Sequence, residues 1–339
     1  SARNTRQAEN RAAETLAGRV WLMPSSPFAG ISAPLITGLF AAWKTAFPPT
    51  AEGRFTDHPG LPVTGGAFPR PPEAPFPLST NYEETMLLKD KKCLIFGVAN
   101  NRSIAYGIAS CFKEQGARLA FSYAGEAIHK RVEPISEELG GEFIFPCDVT
   151  SDEDIAAAAA LVKEKWGSVD VLVHSVAFAN REDLTKRFIE TSRDGFATAL
   201  NVSAYSLTAL CHAFEPMLNP GASVLTMTYY GAQKIITNYN VMGVAKAALE
   251  ASVRYLSVDL GAKDVRINAI SAGPLKTLAS SGISDFKQIF NHIEEHAPLR
   301  RNVTTEDVGK AAVFLASDLG SAVTGEIMFV DCGYNNLGI

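Results

Sequence analysis

From Met86 onward, short apolar runs alternate with stretches of helical spacing, and this alternation limits the fold more than any other feature of the chain. The runs Lys92–Phe96, Arg118–Tyr123, Glu142–Cys147, Val169–His174, Ser223–Met227, Val265–Ile270 and Glu326–Val330 predict strands. Helical patterns fall between them near Ile104–Gln115, Ile128–Leu139, Ile155–Trp166, Arg193–Phe214, Val241–Leu260 and Asp307–Ser317. Strand, helix and strand repeated in this way predict an α/β domain with a doubly wound parallel sheet. Ser151-x-x-Asp154 and Thr304-x-x-Asp307 mark two helix starts, because a hydroxyl at the cap can accept from the backbone three residues on. The chain shows no solenoid-like period. At 47% hydrophobic residues, it can bury a large core.

Residues 1–85 differ in composition. They are rich in Pro, Ala and Gly, as in FPRPPEAPFPL from Phe68 to Leu78, and are expected to be extended or disordered. The apolar stretch Phe28–Trp43 is interrupted by Pro34 and is too short to span a bilayer as a helix. The basic, apolar and small-residue order of a secretory signal is missing, and Glu9 and Glu14 count against a transit peptide. The expectation is that 1–85 form a non-native extension, that Met86 is the natural start, and that 86–339 are one catalytic domain. A net charge of −5 argues against nucleic acid as a partner. Five cysteines without a CxxC pair suit the reducing cytoplasm, and no membrane role is expected.

Tyr239 and Lys246 lie seven residues apart on the pattern that includes Val241, Val244, Ala245, Ala248, Ser252, Leu256 and Leu260. Seven residues are nearly two turns, which places both side chains on one face, about 10 Å apart along the axis. The spacing suits a phenol and an ammonium that meet over a ligand lying along the helix. The ammonium can hold a sugar hydroxyl of a nicotinamide cofactor, and the phenol can donate to an oxygen that gains charge. The alternative is a helix-start aromatic beside a solvated lysine.

The strand ends decide between these readings. Gly97 to Ala109, GVANNRSIAYGIA, follows the first strand. Gly97 lets backbone approach a pyrophosphate, Ser103 can donate to phosphate at the next helix start, and Gly107 lets that helix pack on the strand. A ligand-free turn is the other reading of this stretch, and G-x-G-x-x-G is absent. No Arg or Lys directly follows Tyr123-Ala124-Gly125-Glu126, which favours NADH over NADPH; Glu126 itself reads as a helix-start charge. Asp148 can accept from an adenine amino group or start a turn. His174-Ser-Val-Ala-Phe-Ala179 would let a cofactor lie across the strand ends, with His174 a core histidine that lacks metal-ligand partners. Ser271 to Ala279 contains a Gly273-Pro274 turn, from which Thr277 could reach a carboxamide and a phosphate. The run Ser280–Arg300 reads equally as a lid or as a surface helix.

GVANNRSIAYGIA, SVAFA at Ser175, TYYGAQKIITNYNVMGVAKAALEA at Thr228 and AISAGPLKTLASSGI at Ala269 together resemble the enoyl-acyl-carrier-protein reductases of bacterial fatty acid synthesis. These form a divergent branch of the short-chain dehydrogenase/reductase family. Tyr229-x9-Tyr239-x6-Lys246 and AGPLKTLA are specific to that branch. Tyr230-x3-Lys234 imitates the commoner motif but precedes the periodic helix, and Met217 and Leu218 stand where that motif expects a serine. The resemblance implies a Rossmann-like fold and NADH-dependent reduction of the trans-2 double bond of an enoyl thioester. By this resemblance Tyr229, Tyr239 and Lys246 are catalytic. Gly97, Ser103, Ile104, Asp148, Val149, Val176, Lys246, Leu275, Lys276, Thr277, Leu278 and Ala279 bind cofactor. Ala179 and Tyr229 border the substrate. It further implies acyl carrier protein as partner and a homotetramer; basic side chains near the candidate lid, such as Arg300 and Arg301, are the expected docking groups, although no motif fixes them. The chain departs from the family pattern at Ala124, where Gln is common, and at Ala177, where Gly is common. The rival readings are a carbonyl reductase of the same fold and a silent dinucleotide-binding regulator.

Overall fold

The computed structural model describes residues 86–277 and 286–338; the expectations for residues 1–85, Leu278 and Ala279 lie outside the described residues. Seven strands form one sheet: β1 Lys92–Phe96, β2 Arg118–Tyr123, β3 Phe143–Pro146, β4 Val169–His174, β5 Leu218–Thr228, β6 Arg266–Ala272 and β7 Ile327–Val330. All neighbours pair parallel, in the order β3-β2-β1-β4-β5-β6-β7. The helices are α1 Ile104–Glu114, α2 Glu126–Leu139, α3 Asp152–Trp166, α4 Arg181–Thr185, α5 Arg193–Leu200, α6 Ser206–Phe214, α7 Asn240–Gly261, α8 Phe286–His296 and α9 Thr305–Ala316.

Both faces of the sheet are covered, which is why its strands are continuously apolar. Cys93 and Ile95 of β1 face one core with α1, α2 and α9. Leu94 and Phe96 face the other with α3, α6 and α7. The expected caps form: Ser151 accepts from the Asp154 N–H at 3.1 Å, and Thr304 and Asp307 make a reciprocal box. Gly107 has a different use from the one expected. A Cβ there would lie 2.6 Å from Thr305, so the glycine permits α1 to cross the start of α9 and not to approach the strand.

Most boundaries fall within about two residues of expectation, and two elements differ by more. β5 begins at Leu218, because Val169 pairs with Leu218 before the register shifts and Val171 resumes with Ser223. Asn219-Pro220-Gly221 therefore belongs to an irregular strand start, although its residue types spell a turn. The helix expected over Arg193–Phe214 is divided by a π turn, Asn201–Tyr205. Its Ser203 hydroxyl accepts from the Phe178 N–H and donates to the Phe178 carbonyl, both at 3.0 Å. This ties the helix to the chain leaving β4.

Candidate active site

The strand order reverses between β1 and β4, and the loops leaving the carboxyl ends of such strands bound a crevice. Gly97 stands at that point with φ +101°, and a Cβ there would sit 2.1 Å from the Ser175 carbonyl oxygen. Only glycine fits between the two departing strands. The neighbour that requires it is the β4 exit, where the sequence had suggested a pyrophosphate.

Beyond Gly97 the chain makes a tight turn. The Asn100 carbonyl accepts from the Ser103 N–H at 3.1 Å and from its hydroxyl at 2.7 Å. The Ser103 side chain therefore faces back and leaves the first turn of α1 without a side-chain cap. Ile104 follows, half-buried. An uncapped helix start offers N–H donors and the positive end of a dipole.

Asp148 Oδ1 accepts from the Thr150 N–H at 2.9 Å and hydroxyl at 2.7 Å, so the turn-starting use of this carboxylate is realised. Val149 beside it is buried. Glu126 opens α2 next to Lys130 and His129 on the surface, as a helix-start charge does. Val176 packs on the second core, and Ala179 packs on the group that contains Tyr239. After β6, Leu275 is buried, and the Lys276 ammonium lies 4.1 Å from the centre of the Phe290 ring on α8. The Thr277 N–H donates to the Leu275 carbonyl at 2.8 Å.

Tyr229 and Tyr239 meet, and Lys246 stands two turns further along the helix that begins after Tyr239. Tyr239 caps the start of α7, and its ring meets that of Tyr229 edge-on, 5.0 Å between centres. Burial raises the Tyr239 phenol far above its ordinary range, with Tyr229 and Glu250 adding to the rise, so the phenol keeps its proton as a donor. Burial also pushes Tyr229 up to about 12. Lys246 is 5% exposed and donates to the Met227 carbonyl at 2.8 Å. Burial lowers its ammonium to about 8, against the opposing charge of Glu250.

The buried face of α7 is Val241, Met242, Ala245, Lys246, Leu249, Glu250, Val253 and Leu260. The expected stripe is thus rotated: Val244 belongs outside, and Lys246 and Glu250 sit among the core positions. The imitation motif separates. Lys234 is exposed, while the Tyr230 hydroxyl donates to the Asn335 carbonyl at 3.4 Å.

His174 is a satisfied core histidine. Its Nδ1 lies 2.8 Å from Thr226 Oγ1, and its Nε2 lies 2.8 Å from Ser206 Oγ. The Ser206 hydroxyl donates to the Val202 carbonyl, so it must accept from His174 Nε2–H. Nδ1 then accepts from Thr226, and the ring is neutral. Burial, and after it the Lys246 charge, lowers it to about 3.

Glu250 and Thr228 escaped the sequence reading. The one signal was an acid four residues after Lys246, on the same helical face. Arg301 is not a free docking cation. Its guanidinium holds both oxygens of Asp307, at 2.6 and 3.1 Å. Arg300 is turned to the Glu295 carbonyl. Arg301 and Asp307 line an open cleft of about 650 Å³ at the exit of β7, which contains none of Tyr229, Tyr239 and Lys246. Among the described residues no cluster could hold a metal ion, and no helix is long and apolar enough to cross a membrane.

A family model described as enoyl-(acyl carrier protein) reductase matches residues 97–335. The enoyl-acyl-carrier-protein reductase (NADH) 1 of Rhizobium meliloti (strain 1021) is 53% identical over 253 residues, 75% of this chain and 93% of that protein. The corresponding enzyme of Rickettsia typhi (strain ATCC VR-144 / Wilmington) is 54% identical over 254 residues, 75% of this chain and 97% of its own. The Bacillus cereus enoyl-acyl carrier protein reductase, solved with NADP+ and an indole naphthyridinone, superposes with a TM-score of 0.74 at 50% identity. That alignment covers 75% of this chain and 99% of the Bacillus chain.

Proposed function

We infer the chemistry of this site from one premise: the chain belongs to the enoyl-(acyl carrier protein) reductase family. It is an NADH-dependent oxidoreductase that saturates the trans-2 double bond of enoyl-acyl-carrier-protein thioesters, the last step of a fatty acid elongation cycle.

The residues fit a dinucleotide. Gly97 lets the β1 exit pass against the Ser175 carbonyl where no Cβ would fit, and α1 begins without a side-chain cap, so its first N–H groups suit a pyrophosphate. Ser103 and Ile104 open that helix. Asp148, Val149 and Val176 would flank the adenosine side, and Leu275 to Ala279 the nicotinamide side. When bound, NADH supplies the hydride that reduces the β-carbon of the substrate.

The protein supplies alignment and charge. As charge builds on the thioester oxygen, the Tyr239 hydroxyl donates to it; its raised proton affinity keeps that donor in place. Tyr229, edge-on to Tyr239, confines the acyl group. Ala179 borders the substrate through its backbone. The Lys246 ammonium holds the nicotinamide ribose, and its field favours negative charge on the nearby oxygen. The observation that carries this reading is the seat of Lys246: buried, anchored on the Met227 carbonyl, with two tyrosines gathered at the start of its helix.

The acyl carrier protein delivers the substrate to the side of the domain that carries α8. Because Arg301 is paired with Asp307, Arg300 and Lys276 are the cations that face this role. We assign residues 86–339 as the catalytic domain and the cytoplasm as its place, which suits the five buried, unpaired cysteines. The exposed Tyr255 and Val258 of α7, together with the exposed Phe196 of α5 and Tyr205 of the π turn, support a homotetramer.

Oxidation of NADH with crotonyl-CoA, run beside NADPH and a β-ketoacyl thioester, tests the reading. The expected result is consumption of NADH with the enoyl thioester alone. Turnover of the ketoacyl thioester only, or NADH binding without turnover of any enoyl thioester, overturns it.

A further inference from the structure

Glu250 lies four residues after Lys246 on α7 and is 5% exposed. Its Oε1 accepts from the Thr228 hydroxyl at 2.8 Å, and its Oε2 accepts from the Gln233 side-chain amide at 3.4 Å. An amide nitrogen can only donate, and both carboxyl oxygens are used as acceptors, which is what an ionised carboxylate offers. Thr228 ends β5, and Tyr229 is the next residue. Gln233 closes the short turn Tyr230–Ala232 on the other side. The two contacts therefore hold the chain before and after Tyr229. One helical turn earlier, Lys246 holds the carbonyl of Met227. Two residues of one helix thus grip two successive residues at the end of β5.

We propose that Glu250 is a positioning residue: it fixes the segment that presents Tyr229 and supplies the counter-charge that keeps the Lys246 ammonium protonated in its buried seat. The proposal rests on the roles given above to Tyr229 and Lys246. Burial works against the Lys246 cation and Glu250 works for it. The other titratable groups around it are His174 on β4, neutral in its hydrogen-bond chain, and the phenols of Tyr229 and Tyr239, whose protons burial retains. Of these groups Glu250 alone carries negative charge. Without it, less work is needed to discharge the lysine, and the cation is lost at lower pH.

The test compares wild-type protein with Glu250→Gln, Glu250→Asp and Thr228→Val, by NADH titration across pH and by turnover of crotonyl-CoA. In Glu250→Gln the alkaline loss of NADH affinity moves about one unit to lower pH, while affinity in mild acid stays close to wild type. Its kcat falls about tenfold. Glu250→Asp keeps the charge but withdraws from Thr228, so its kcat falls while the alkaline limb stays. Thr228→Val behaves in the same way. A Glu250→Gln protein with the wild-type limb and wild-type kcat overturns the proposal. So does a Glu250→Asp protein whose limb moves as far as that of Gln. Should Glu250→Gln fail to fold, wild-type kcat in both other variants overturns it instead. A wild-type protein that consumes no NADH with crotonyl-CoA sinks the reductase reading, and the position of the NADH-binding limb in Glu250→Gln then decides this proposal by itself.

Discussion

The Lys246 ammonium donates to the carbonyl oxygen of Met227 at 2.8 Å, which joins the middle of α7 to the end of β5. One carbonyl uses one of three ammonium protons, so donors remain for a ligand. Burial brings this lysine down to about 8 from 10.5. The cation is present below that value and is lost above it. NADH affinity is therefore expected to fall about tenfold per pH unit above that point, and Lys246→Ala should bind NADH weakly at every pH. Fluorescence titration of NADH measures both. The sign for stability is opposite. Because the folded pKa is depressed, the unfolded chain holds more protons between about 8 and 10.5, and this group's contribution to stability rises with pH across that window.

Removing the Tyr239 hydroxyl deletes a donor to the thioester oxygen while the ring stays in its edge contact with Tyr229. Loss of such a donor costs about 3–4 kcal/mol in the transition state. Tyr239→Phe is expected to lower kcat about a hundredfold or more and to change NADH affinity little. Steady-state kinetics beside NADH titration separate the two. Equal kcat values in the variant and the wild type would remove Tyr239 from the mechanism.

His174 gives the fold an acid-sensitive point. Its folded pKa is lowered to about 3 from 6.5, so the unfolded chain binds the extra proton first. Stability from this group is complete above 6.5 and is lost as pH falls towards 3. His174→Leu should be destabilised at neutral pH by about 1–3 kcal/mol, because the Thr226 and Ser206 hydroxyls lose their partner. Its stability should then vary less steeply between pH 6.5 and 4 than that of the wild type. Urea denaturation at several pH values reads the two slopes.

Most of the fold was legible because each buried strand announces itself by a continuous apolar run. β1, β2 and β4 fall at the expected residues, since Lys92, Arg118 and Val169 begin runs with no competing turn chemistry. The start of β5 was hidden by Asn219-Pro220-Gly221, whose residues spell a turn while the paired strand carries them through a register shift. The π turn at Asn201–Tyr205 leaves no periodic trace, because one added residue within a helix resembles noise in the apolar spacing. At the site, Tyr229, Tyr239 and Lys246 were singled out by spacing and family resemblance. Glu250 was not, because a carboxylate on a helix is ordinarily solvated, and only the position of Thr228 across the α7–β5 contact shows that this one is held inside.

The outward stripe of α7 carries Tyr255, 80% exposed, and Val258, 75% exposed, on the face opposite Lys246 and Glu250. Apolar side chains so placed on a helix gain by burial against another copy, at about 25 cal/mol per Å² of area removed from water. A homotetramer is expected in solution, and Tyr255→Glu combined with Val258→Asp should shift it towards smaller species. Light scattering after size exclusion measures this. Unchanged tetramer in the double variant would move the interface elsewhere.

Gly97 provides the sharpest test of the crevice. At φ +101° an L side chain is strained, and an added Cβ would overlap the Ser175 carbonyl oxygen at 2.1 Å. That carbonyl cannot simply retreat, because the Ser175 N–H is held by the Phe96 carbonyl at 3.0 Å. Gly97→Ala must therefore push β1 and β4 apart at their carboxyl ends, where the strand order reverses. A cost of about 1–3 kcal/mol is expected, from backbone strain alone. NADH affinity should fall further than the loss of stability explains, since the two loops that bound the crevice are the ones displaced. Thermal denaturation with and without NADH distinguishes the outcomes. A variant that is less stable but still gains as much stability from NADH as the wild type would show that the β1–β4 junction shapes the sheet without shaping the cofactor site.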